Sequence, residues 1–267
     1  MLLFFDIDGT LWDYKNYIPD STKAAIQKAR KNGHLCFINS GRSRAYIKSP
    51  ELLGIGFDGI LSANGCRIEY RDRVIRNHLI RPVDAVQTLH SVYEHGLLPM
   101  LEGPNYVYIN REDFIGDLFG EKVMEEMGDR LLSINDHWGS WEINKLSCGL
   151  PGRNPGKPFD PREIQKCYDE LSALYDYILH GDFAVEMVPK GYGKGSGVIK
   201  LCELTGTDVR DTFAFGDSAN DREMMETAGT AIAMGRSDEA TKACADFVTK
   251  NLEEDGIRFA MEHFGLI

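Results

Sequence analysis

The chain has 267 residues, 43% of them hydrophobic and 27% charged, an ordinary globular balance long enough for one large α/β domain or for a core with an inserted domain. Its net charge of -11 argues against a nucleic-acid or anionic-membrane surface, which would want a basic stripe, and an anionic substrate has to be received by local positive charge or a metal. The six cysteines are scattered without a C-x-x-C pair and the seven histidines without a His-Glu-x-x-His motif, which leaves zinc and a disulfide framework unsupported.

The first ten residues organise the rest. Leu2, Leu3, Phe4 and Phe5 read as a strand buried on both faces, and the run stops at Asp6-Ile7-Asp8-Gly9-Thr10. It is too short for a signal peptide core, and no stretch approaches a membrane span, so a soluble cytoplasmic protein is expected. Carboxylates at the carboxyl end of a buried strand stand where open α/β sheets place their ligands. A plain polar turn is the bland alternative. A calcium loop fits poorly, because Gly9 is only fourth from Asp6 and Tyr17 stands where that loop needs Glu.

Asp20 and Ser21 are expected to cap a helix over residues 22–32 that Gly33 stops. Residues 35–38 form the next buried strand, ending in Asn39-Ser40-Gly41-Arg42, and strand, helix, strand predicts a right-handed parallel crossover. That order would set Ser40 close to Asp6. Residues 57–61 read as a third strand, followed by hairpin material over residues 66–80 with Asn64-Gly65 at a turn. A helix over residues 82–95 opens at Pro82 and stops at Gly96.

The texture then changes. Strands are predicted over residues 97–101, 106–109, 143–148 and 184–188, and helices over 112–127 and 160–175, with a Gly/Pro-rich loop over 151–158. Without regular alternation these suggest a separate α+β unit. From Gly191 alternation returns: a Gly-rich loop around Lys194, a helix over 196–204, and the strand 212–215 delivering Gly216-Asp217-Ser218-Ala219-Asn220-Asp221. The helix through Met224 and Met225, a strand over 231–234, a helix over 238–243 and a short strand at 247–248 complete a parallel sheet. The loop at Lys194 is no nucleotide P-loop, since Gly195 stands where Ser or Thr is required.

Each of these loops alone has a plain structural explanation; the set has a chemical one. Carboxylates hold magnesium, a hard cation that prefers oxygen. A lysine and a hydroxyl cradle phosphate oxygens, and a carboxylate in such a site can attack phosphorus. All of this fits phosphoryl transfer.

The order of these residues resembles the four motifs of the haloacid dehalogenase (HAD) superfamily, and most closely its Cof-like phosphatases with an α/β cap inserted after the second motif. Asp6-Ile7-Asp8-Gly9-Thr10-Leu11 is similar to the first motif and Ser40-Gly41-Arg42 to the second. Lys194-Gly195, preceded by Val185-Glu186-Met187-Val188-Pro189, is similar to the third, and Gly216-Asp217 through Asn220, Asp221 and Met224 to the fourth. Trp12 and Gly197 depart from the usual pattern, and the cap matches in length and texture only.

The resemblance implies an α/β, Rossmann-like parallel-sheet core over residues 1–81 and 188–267, and a C2-type (IIB) α+β cap over 82–187. It implies Asp6 as nucleophile and metal ligand, and Asp8 as acid and base with its carbonyl on the metal. Ser40, Gly41, Lys194 and Asn220 would bind the phosphoryl group, Asp217 would ligate Mg2+, and Asp221 would be a ligand or an anchor of its waters. The implied activity is magnesium-dependent hydrolysis of small phosphorylated metabolites, sugar phosphates foremost, through an aspartyl phosphate. A phosphomutase and a non-catalytic phospholigand sensor stay open as alternatives. Substrate choice is expected on the cap, with Tyr106, Tyr108, Trp138, Trp141, Lys145 and Arg153 as candidates, each also readable as core or ordinary surface.

Overall fold

A computed structural model describes residues 1–151 and 159–267. Its residues fall into two compact units: residues 1–41, 48–76 and 192–267 in the first, and residues 42–47 and 77–191 in the second.

The first unit opens with β1 (Leu2–Phe5), α1 (Asp20–Lys31), β2 (Leu35–Asn39), α2 (Pro50–Gly54), β3 (Gly59–Ser62), β4 (Arg67–Tyr70) and β5 (Arg73–Asn77). The apolar run of β1 is buried at every position, as a central strand requires. Phe4 stacks on Phe37 and Phe5 on Phe215, at 5.4 and 4.6 Å between ring centroids. Burying each such ring contributes about 1.5–3 kcal/mol. The start of α1 differs from expectation. Pro19 is its N-cap and makes no side-chain cap bond, while Asp20 sits in the first turn, where a carboxylate favours the helix dipole. Ser21 turns instead to Asp255, its Oγ donating across 2.5 Å.

The second unit holds α3 (Pro82–Glu94), β6 (Leu98–Glu102), β7 (Val107–Ile109), α4 (Leu118–Met127), β8 (Leu131–Ser133), β9 (Lys145–Gly149), α5 (Arg162–Leu171), β10 (Tyr175–His180) and β11 (Ala184–Pro189). Among the described residues its strands order as β10-β11-β9-β6-β7-β8. Two strands here, β8 and β10, are absent from the sequence reading. The helix expected over 112–127 is broken: a 3-10 turn at Arg111–Phe114 precedes Gly116, which has φ +76°, and Asp117 then caps α4 by accepting from Gly120 N–H at 2.7 Å. Residues 42–47 belong to this unit by contact. Arg42 pairs with Glu126 at 2.5 Å, and Arg130 donates to the Ala45 carbonyl at 2.9 Å.

The chain returns to the first unit with α6 (Lys194–Thr205), β12 (Thr212–Gly216), α7 (Arg222–Thr227), β13 (Thr230–Ala233), α8 (Glu239–Ala243), β14 (Phe247–Val248) and α9 (Gly256–His263). The sheet order is β14-β13-β12-β1-β2-β3-β4-β5, with parallel pairing from β14 to β3 and an antiparallel step to β4. Leu2 and Phe4 face the helices α6 and α7 through Val198, Leu201, Met224 and Met225. From β1 the chain builds outward through β2 and β3 on one side and returns as β12 on the other. That makes β1 the switch point of the sheet, where a crevice opens at the carboxyl ends. Among the described residues, no helix is long and apolar enough to cross a membrane.

Candidate active site

Strand register brings the loops together. Phe5 is paired with Phe215 on one side and Ile38 on the other, so Asp6 emerges beside Gly216 and abreast of Asn39, with Asp217 and Ser40 one residue further. The Asp6 N–H donates to the Phe215 carbonyl at 3.0 Å, and the Ser40 N–H to the Leu61 carbonyl at 2.9 Å. The loop after β1 turns at Gly9, whose φ is +80°. A Cβ there would lie 2.3 Å from Asp217 Oδ2, so only glycine admits the Asp217 carboxylate so close to the chain.

Lys194 is the hub. Its helix begins two residues earlier than expected, with Gly193 as N-cap and its N–H donating to Ser196 Oγ at 3.1 Å. The Asn39 side chain donates to the Lys194 carbonyl at 3.0 Å. The Lys194 ammonium, fully buried, then lies 2.6 Å from Asp6 Oδ1 and 2.6 Å from Asp221 Oδ1. Asp221 is also fully buried, and its other oxygen accepts the N–H groups of Asp217 and Ser218 at 2.9 and 3.2 Å. Thr10 Oγ1 donates to Asp217 Oδ1 at 3.1 Å. Asn220 shares the short turn Ala219–Asp221, its Oδ1 accepting from Ser218 Oγ at 2.8 Å. Asp8 is exposed, and the Trp12 indole N–H donates to its Oδ1 at 2.9 Å.

The electrostatics are unbalanced. One carboxylate oxygen each from Asp6, Asp217 and Asp221 lies within 4.8 Å of the others. Burial, and then Asp221, raise the Asp6 carboxyl well above its ordinary range despite Lys194. The same two causes push Asp217 up to about 7. Burial would lower the Lys194 ammonium, yet Asp221 and Asp6 hold it above its usual value. One ammonium therefore faces more anionic charge than it can neutralise, and every surplus donor is a carboxylate oxygen. That donor set fits a hard divalent cation.

The sequence matches the haloacid dehalogenase-like hydrolase family over residues 3–261. The chain belongs to this family. The candidate phosphatase YkrA of Bacillus subtilis (strain 168) is 31% identical to this hydrolase, over all of this chain and 98% of that protein. The 5-amino-6-(5-phospho-D-ribitylamino)uracil phosphatase YitU of the same organism is 28% identical, over 99% of this chain and 98% of its own. The solved structure of the subclass IIB sugar phosphatase BT4131 superposes with a TM-score of 0.83 at 25% identity, covering 100% of this chain and 99% of that one. This hydrolase is a Cof-like HAD phosphatase, a phosphoric monoester hydrolase, and its fold is that of a subclass IIB structure, a mixed core sheet and a separate cap sheet.

Within the cap of this hydrolase, the candidate specificity residues divide. Tyr108 and Trp141 are core, the latter donating its indole N–H to the Ile134 carbonyl at 3.1 Å, whereas Tyr106 and Trp138 are exposed. Lys145 is buried between Glu102 and Glu186 at 3.2 and 2.7 Å. Burial would raise the Glu186 carboxyl, but Lys145 and then His180 outweigh it and hold Glu186 below the carboxylate range. Arg153 lies outside the described residues. Three contacts at the site escaped the sequence reading: Thr10 on Asp217, Asn39 on the Lys194 carbonyl, and Trp12 on Asp8. Only a polar residue at the buried end of β2 hinted at the second.

Proposed function

We propose that this hydrolase is a magnesium-dependent phosphomonoesterase of small phosphorylated sugars or polyols, with Asp6 as its nucleophile. The observation that carries the reading is the convergence of Asp6 and Asp217, at the ends of the neighbouring strands β1 and β12, with Lys194, the first residue of α6, around more negative charge than one lysine offsets. The substrate class draws on the relatives: YitU is named for a phosphoribityl compound and BT4131 as a sugar phosphatase.

An Asp6 oxygen attacks phosphorus as the bond to the leaving oxygen breaks, and Asp8 gives the departing alkoxide its proton. Asp8, now a carboxylate, takes a proton from water as that water attacks the phosphorus. The bond to Asp6 breaks and inorganic phosphate leaves. An ammonium has three N–H donors. Two of those of Lys194 are engaged by Asp6 and Asp221, and we assign the third to a phosphoryl oxygen, with Ser40, the Gly41 backbone and Asn220 receiving the others. Asp6, Asp217 and the Asp8 carbonyl are the assigned Mg2+ ligands. Asp221, with both oxygens already accepting, is assigned to anchoring Lys194 and the Asp217 loop. When bound, the ion neutralises the phosphate's charge against these carboxylates.

The test is release of inorganic phosphate from a panel of sugar, polyol and other metabolite phosphomonoesters with Mg2+ present. Release from polyhydroxylated substrates is expected. A mutase would return an isomeric phosphate ester instead, and a sensor would release nothing; either result overturns the proposal.

A further inference from the structure

We infer that Trp12 is a positioning residue for Asp8: its indole N–H holds the Asp8 carboxyl in the orientation that proton transfer to an alkoxide leaving group needs. The inference rests on the acid–base role proposed above for Asp8.

The 2.9 Å bond from Trp12 Nε1 to Asp8 Oδ1 joins two unequal ends. Trp12 is 4% exposed. Its backbone is tied into the loop, its N–H donating to the Ile7 carbonyl at 3.1 Å and its carbonyl accepting from Gly9 N–H at 2.9 Å. The Leu11 N–H also turns to the Ile7 carbonyl, at 2.9 Å, and the side chains of Ile7 and Leu11 are fully buried. The loop is closed on itself by these backbone bonds, and the buried Trp12 side chain is anchored in it. Asp8, by contrast, is exposed, and a carboxylate on an exposed turn has several rotamers to choose from. A fixed donor selects one of them.

The chemistry of the donor adds a second constraint. An indole N–H only donates. Asp8 Oδ1 is therefore an acceptor in this bond whether or not the carboxyl is protonated, and we assign the exchanged proton to Oδ2. A buried indole needs some acceptor. That its acceptor is the carboxyl assigned to proton transfer, rather than a backbone carbonyl as for Trp141, ties its position to the reaction.

Leaving-group dependence separates this role from simple packing. An alkoxide needs its proton as it departs, whereas p-nitrophenolate leaves without one. The value of kcat/KM reports the steps up to that departure, so it isolates the acid role from the later attack of water. Trp12→Phe should lower kcat/KM for an alkyl phosphate such as a sugar phosphate by about 10²-fold, the scale of a misplaced catalytic group. For p-nitrophenyl phosphate the same variant should stay near wild type. If Trp12→Phe fails to fold, site-specific replacement by benzothienylalanine keeps the ring's shape and deletes only the N–H, and the same selective loss is expected. An equal loss on both substrates, or no loss on either, overturns the inference. Asp8→Asn distinguishes the two readings: wild-type turnover of the alkyl ester in that variant removes the acid role and the inference with it. A silent Asp8→Asn beside an unchanged substrate ratio in Trp12→Phe removes the inference alone.

Discussion

Lys194 donates to Asp6 across 2.6 Å although 188 positions separate them in the chain. Parallel strand register accomplishes this: β1 and β12 end side by side, and α6 begins where its first side chain drops between them. The nucleophile assigned to Asp6 is thereby held by a buried ammonium and oriented before any substrate arrives, the arrangement in which electrostatic catalysis needs least reorganisation.

Asp6→Asn tests the nucleophile. The change is nearly isosteric and removes one of several crowded negative charges, so the fold should survive with an unchanged or higher Tm. Turnover should fall by about 10³-fold or more, as expected when the attacking group is lost. Phosphate release and thermal unfolding on the same sample check both halves.

Magnesium should stabilise the first unit as well as activate it, because the ion relieves repulsion among Asp6, Asp217 and Asp221. An ion at a hundred times its Kd contributes about 2.7 kcal/mol. For a chain of this size that raises Tm by roughly 5–10 °C. Calorimetry with Mg2+ and with a chelator measures the shift, and Asp217→Asn should abolish most of it.

Lys145→Met should destabilise the cap by about 3–5 kcal/mol, since it leaves Glu102 and Glu186 buried without their shared cation. Replacing all three by apolar residues of similar volume should recover most of the loss. Urea unfolding of the variants decides it.

His95 ends α3 and contacts two carboxylates of α5, with Nδ1 2.7 Å from Glu163 and Nε2 3.1 Å from Glu170. The bond to Glu163, outweighing desolvation, raises His95 above its ordinary 6.5. Glu163 is lowered below 4.5 chiefly by His95, and Glu170 by Ser91 and then His95. The raised histidine stabilises the fold fully below 6.5, and that contribution is lost as pH rises through its folded value. The lowered carboxylates contribute above 4.5 and lose their contribution as pH falls. The clamp is therefore strongest between pH 4.5 and 6.5. Hydrogen exchange of α3 and α5 in wild type and His95→Gln should differ most in that window and converge at alkaline pH.

What the chain discloses before folding depends on whether a feature is local. The buried run ending at Asp6 is visible because a central strand must be apolar at every position. The parallel sheet follows from the alternation of strands and helices, but the switch point at β1 does not, because alternation leaves open on which side of β1 the returning strand β12 lies. The bond of Asn39 to the Lys194 carbonyl spans 155 positions and leaves no periodic trace. Strand β10 escaped because Tyr175–His180 runs along a sheet edge, where burial is uneven and no clean alternation marks it. The true cap of α1 was obscured by Asp20 and Ser21, good capping residues that serve elsewhere once Pro19 sets the helix start.

Residues 42–47 also bear on how such proteins can be recombined. Because this hexapeptide groups with the cap, a graft that exchanges only residues 77–191 with a relative would carry Glu126 and Arg130 away from Arg42 and Ala45. The transplanted piece would arrive missing one of its own walls. Modular exchange in this chain has to move two segments of unequal length, and the smaller of them starts immediately after Ser40 and Gly41.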